Sequence, residues 1–142
     1  MITRKIKKIL VPIDGSKTSF KALNEAIYLA RQCGATITGF HIVTIYPKKF
    51  VDVLEPFKKE AFKQARKLMA DAKTISAQNG VMFNGKIVYG EAKWDIVDFA
   101  HDKKFDLIVI GSRGFSPLKE MFLGSVANYV VHKSKVRVLV VT

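Results

Sequence analysis

Five short apolar runs punctuate this chain, and between them apolar residues recur every three or four positions. The runs are Ile9-Leu10-Val11-Pro12-Ile13, Thr36 to Ile45, Val81 to Val88, Leu107-Ile108-Val109-Ile110 and Val136 to Val141. Their β-branched content and length predict strands, and those without polar alternation predict strands buried on both faces. Thr36 to Ile45 does alternate, with Ile37, Gly39 and His41 on one side and Thr38, Phe40 and Ile42 on the other. Phe20, Leu23, Ile27 and Ala30, spaced three, four and three, predict a helix that starts at the cap Ser16 and stops at Cys33-Gly34. A long helix is expected from about Pro56, with the stripe Leu54, Phe57, Ala61, Ala65, Leu68, Ala72 and Ile75 and a stop at Asn79-Gly80. Ala92, Ile96, Phe99 and Ala100 predict a third helix. Val126, Ala127, Val130 and Val131, opened by Gly124-Ser125, predict a short fourth. Tyr46 to Val53, with Pro47, Lys48 and Lys49, reads as a linker.

Strand and helix alternate throughout, and each crossover is long enough for a right-handed parallel connection. The expected fold is α/β: one doubly wound, mainly parallel five-stranded sheet with helices on both faces, Rossmann-like. The 142 residues suit a single domain over 1–142.

Composition changes this picture little. A 49% hydrophobic and 25% charged chain is ordinary for a globular protein. No apolar run approaches the ~20 residues of a membrane span. The basic N-terminus precedes an apolar stretch too short for a signal peptide, so a cytoplasmic protein without membrane attachment is expected. Cys33 is the sole cysteine and cannot form an internal disulfide. The net charge of +12 stands out; residues 1–70 hold 14 basic and 5 acidic side chains. Such a field draws polyanions without naming one. Lys58, Lys59, Lys63, Arg66 and Lys67 lie largely off the apolar stripe of the long helix, as a solvated basic face does.

The candidate chemistry sits late in the chain. The strand ending at Gly111 enters a loop through Gly114 and reaches a helix start at Gly124-Ser125. Glycines permit close backbone approach, and free N–H groups with the dipole of a helix start favour an anion. Ser125 is placed to cap that helix or to donate to a phosphate. The segment is not a P-loop, since no Lys-Ser or Lys-Thr follows Gly124, and it lacks the dinucleotide G-x-G-x-x-G. Gly80 and Gly85-Lys86 imitate part of a P-loop, but Ile87 follows and the glycines interrupt a strand. Asp14 has two readings, a turn residue bonding its own backbone or a carboxylate at the mouth of the first strand, where open sheets bind ligands. His41, with no nucleophile or carboxylate placed near it, reads as a satisfied core residue. Trp94 reads as packing and His101 as surface.

Gly111, two residues, Gly114, nine residues and Gly124-Ser125 resemble the G-x2-G-x9-G-[ST] motif of the ATP-binding branch of the universal stress protein (UspA-like) family. The openings KILVPIDGS, with Val11, Pro12 and Asp14 in a V-P-x-D pattern, and KVRVLVVT at the end are similar to that family too. The resemblance implies strand order 3-2-1-4-5, with Asp14 and Gly111 facing each other at the switch point. It places the base by Asp14 and Ile42, beside Pro12 and Ile13. The ribose falls by Gly111, after Ile110, and the phosphates between Gly114 and Gly124-Ser125-Val126. Arg113 or Lys119 is placed to supply countercharge. Mg2+ or Mn2+ would be held mainly by the phosphates, since the loop has no carboxylate cluster.

The function expected is therefore an ATP-binding stress-response regulator, with at most slow hydrolysis because no general base is evident. Family likeness further implies a homodimer through Val136 to Val141, which would cover an apolar edge. Departures are mild: Lys17 stands where the family often has an acid, and Lys135 where it often has proline. The alternatives are a nucleotide-free interaction module of the same fold, or a basic protein associated with nucleic acid. Against the latter, the sequence shows neither a stacking-aromatic motif nor a recognition helix.

Overall fold

Every apolar run becomes a strand and every three-to-four periodicity a helix. In chain order these are β1 (Lys8–Pro12), α1 (Lys17–Cys33), β2 (Thr36–Thr44), α2 (Val51–Gln78), β3 (Phe83–Gly90), α3 (Ala92–Asp102), β4 (Leu107–Gly111), α4 (Ser125–Lys133) and β5 (Arg137–Val141). The structure, a computed structural model, describes residues 5–44, 51–115 and 123–142, without the side chains of 51–55. Pro47, Lys48 and Lys49 of the expected linker, the strand end at Ile45 and the candidate countercharge Lys119 lie outside the described residues, as does the side chain of Leu54.

The sheet runs β3-β2-β1-β4-β5, and all its ladders are parallel. Alternation along the central strand β1 divides the core in two. Ile9 and Val11 join Leu23, Ile27, Met69 and Val109 under α1 and α2. Leu10 joins Phe40, Ile96, Ile108 and Val130 under α3 and α4. Each such side chain contributes about 1.5–3 kcal/mol when buried. Strands closed on both faces must therefore be apolar throughout, which is why β1 and β4 lack polar alternation.

Local chemistry sets the ends. Ser16 Oγ accepts from the Ser19 N–H at 3.3 Å, and Gly34 closes α1 at φ +68°. The Asp106 carboxylate accepts from the N–H groups of Lys7 and Lys8, both at 2.9 Å, fixing where β1 starts beside β4. Gly39 of β2 is demanded by packing: a β-carbon there would fall 2.3 Å from the Phe83 ring.

Several boundaries differ from the sequence reading. Helix α2 begins at Val51, so Pro56 lies inside it. The missing N–H forgoes one bond, and the long apolar stripe that follows carries the helix regardless. Strand β3 starts two residues later than Val81, whose N–H turns back to the Ser76 carbonyl at 3.0 Å. Strand β5 starts after Val136, because the Ser134 hydroxyl takes the Val136 N–H at 2.9 Å. Trp94 is not packed inside; it is 56% exposed. None of the described helices is long and apolar enough to cross a membrane.

Candidate functional site

Strand order reverses between β1 and β4, and chain leaving their carboxyl ends splays apart into a crevice. A cavity of about 300 Å3 lies there. Pro12, Ile13 and Asp14 reach it from β1, Ile42 from β2, and Ile110, Gly111, Arg113 and Gly114 from β4 and its loop. Gly124, Ser125 and Val126 reach it from the start of α4, so all eleven candidate residues line one cavity. Sequence reading missed its floor, made by Phe40, Ala92, Ile96 and Ala127, and the polar Ser112. The signal was available in part: Ala92 and Ile96 form the inward face of a helix that starts where β3 ends.

The loop is held by its backbone. Ser112 N–H donates to Val141 O and Gly124 N–H to Ser112 O, each at 2.7 Å. The Thr18 hydroxyl donates to the Arg113 carbonyl. Helix α4 then begins with Gly124, not Ser125, as its cap, and no side chain caps it. Asn128 N–H makes the first helical bond, to Gly124 O at 2.9 Å. The N–H groups of Ser125, Val126 and Ala127 have no hydrogen-bond partner among the described residues. These orphan donors, with the dipole behind them, are a ready site for an anion.

The three glycines do different work from that expected. A β-carbon on Gly111 would sit 2.8 Å from Thr18, and one on Gly124 would sit 3.4 Å from Arg113 Cα and Ser112 O. Gly111 therefore serves close packing of the chain on itself, whereas a side chain at Gly124 would meet only ordinary contacts. Only Gly114 opens toward the crevice chemistry, where a β-carbon would fall 2.6 Å from Asp14 Oδ2.

Asp14 fits both of its readings. Its Oδ1 accepts from the Ser16 N–H at 2.8 Å, an Asx turn, while its exposed Oδ2 faces Gly114. His41 is satisfied but not core. It is half-buried, and its Nδ1 donates to the Ile13 carbonyl at 2.7 Å, bracing the strand end beside Asp14. Apolar floor, lone carboxylate and orphan N–H row together suit a flat, hydrogen-bonding body with an anionic tail.

A family model described as "Universal stress protein family" matches residues 5–142. The universal stress protein YxiE of Bacillus subtilis is 36% identical over 147 aligned positions, covering 94% of this chain and 97% of its own. Among solved structures, the universal stress protein UspA from Lactobacillus plantarum superposes with a TM-score of 0.90 at 26% identity, covering 99% of this chain and all of that one. A universal stress protein solved in complex with cAMP superposes at 0.76 with 26% identity, covering 96% of this chain and 97% of that one.

Proposed function

This chain belongs to the universal stress protein family, and we propose that within it the chain is an ATP-binding regulatory protein of the stress response, acting as a homodimer. The observation that carries this reading is the row of N–H groups on Ser125, Val126 and Ala127, without a partner among the described residues and set in one cavity with the Asp14 carboxylate. Triphosphate oxygens are the ligands such donors favour, with Arg113 at the cavity wall for countercharge. The adenine takes the apolar floor between Ile42 and Ile96, its polar edge toward Asp14. The ribose lies at Gly111 and the phosphates between Gly114 and Gly124.

Among the described residues no three metal-capable side chains gather. A divalent ion, Mg2+ or Mn2+, therefore reaches the site on the phosphates. Among the described residues Asp14 and His41 are held to the Ser16 N–H and the Ile13 carbonyl at the β1 end of the cavity, and none beside the α4 start is a carboxylate or histidine, so hydrolysis is slow at most. The relative solved with cAMP supports an adenine nucleotide as the ligand class. Dimerisation uses β5, which ends the sheet and leaves Leu139 exposed.

Protein purified natively and then heat-denatured is expected to release ATP or a related adenine nucleotide, identified by chromatography of the supernatant. Protein that emerges empty, and that also takes up no ATP on titration, refutes the reading.

A further inference from the structure

A second cluster, sharing no residue with the crevice, joins α2 to the edge strand β3. Phe62 and Tyr89 stack with centroids 6.0 Å apart and planes 20° apart. Lys58 Nζ lies over the Tyr89 ring at 5.3 Å, and the Arg66 guanidinium over Phe62 at 5.0 Å. Residues 58, 62 and 66 recur every four positions and so share one face of α2. Lys59 and Lys63 border the same groove, of about 490 Å3, and its one acid, Glu60, accepts from Gln64 at 3.3 Å.

Strand β3 ends the sheet beside this groove. The Ile37 N–H bonds the Met82 carbonyl at 2.9 Å, so Met82 addresses β2. Alternation then turns the backbone groups of Gly85, Ile87 and Tyr89 outward. Among the described residues no strand pairs with them.

We propose that this edge docks an extended acidic segment of another protein, which adds as a further strand along β3 and sets its carboxylates against Lys63 and Arg66. Charge complementarity selects the partner. A second copy of a chain carrying +12 would bring like charges together along the edge. A nucleic acid would want a bare aromatic face, and here Lys58 and Arg66 already cover the rings. A guanidinium held over a ring still has N–H donors to offer, and these can take a carboxylate in pairs. Backbone pairing supplies affinity and the alternate acidic side chains supply specificity.

The test titrates the full chain with a fluorescein-labelled peptide as long as β3, of alternating Glu and Val, and maps backbone amide shifts by NMR. Saturable binding with shifts at Gly85, Ile87 and Tyr89 is expected, weakened about tenfold by the double variant Lys63→Glu, Arg66→Glu. That variant lies outside the crevice and keeps its nucleotide. Absence of binding at low salt overturns the proposal, and so does peptide binding that leaves the β3 amides unshifted. An oligo-dT strand that binds the same residues more tightly than the peptide also overturns it, in favour of nucleic acid.

Discussion

Asp14 Oδ2 occupies the space that a side chain on Gly114 would need: a β-carbon built there lies 2.6 Å away. The strand-end carboxylate and the loop glycine are thus one unit, although 99 positions separate Ser16, which holds Asp14, from the loop at Phe115 that lines the same cavity. Gly114→Ala is expected to push the carboxylate off its place while leaving the cores untouched. Nucleotide affinity should fall roughly tenfold, which is about 1.4 kcal/mol, with unchanged thermal stability. Isothermal titration with ATP checks this, and unaltered affinity removes Asp14 from the site.

Thr18 stands behind the loop rather than in it. Its hydroxyl holds the Arg113 carbonyl, and its backbone packs against Gly111. Thr18→Val keeps the shape and removes the donor, so the loop should lose its orientation while the sheet stays folded. We expect ATP binding to weaken by about 1 kcal/mol, the usual worth of such a bond, and Thr18→Ser to restore it. A serine variant as weak as the valine one assigns the loss to packing instead.

How much of this was legible beforehand depends on what fixes each feature. The β1 and β4 strands were readable because burial on both faces leaves no polar position. The eleven cavity residues were readable because a motif and a strand end mark them along the chain. The packing role of Gly111 was not, since its neighbour Thr18 is set only by the fold. The Phe62–Tyr89 stack was equally hidden, because one ring comes from a helix and the other from a strand. Pro56 misled, as a proline marks a helix start by local propensity and the tertiary stripe of α2 outweighs it.

Gly39 offers a test of packing away from the crevice. Its missing side chain is replaced by the Phe83 ring, with Ile13 Cδ1 at 3.3 Å from the same point. All three residues are buried in the sheet or its core, and an aromatic ring cannot fold aside as a long aliphatic chain can. Gly39→Ala should therefore destabilise by about 1–3 kcal/mol. Urea unfolding monitored by circular dichroism should show a lower midpoint at unchanged slope. An unchanged midpoint would mean that β2 and β3 slide apart at little cost.

The proposed dimer would rest on β5, where Leu139 is 37% exposed on the sheet's outer strand beside the exposed Arg137. If twin strands cover each other, each dimer buries two copies of this leucine, and Leu139→Glu also brings two carboxylates together. The loss should be about 3 kcal/mol or more across both copies, roughly a 100-fold rise in Kd. Light scattering on a sizing column should then report the 15.9 kDa monomer for the variant and twice that mass for the parent chain. A monomeric parent removes the dimer altogether. A dimeric Leu139→Glu moves the interface elsewhere, and since β3 is the other edge of the sheet and carries the basic cluster of α2, its dimer should then weaken at low salt, where like charges repel furthest.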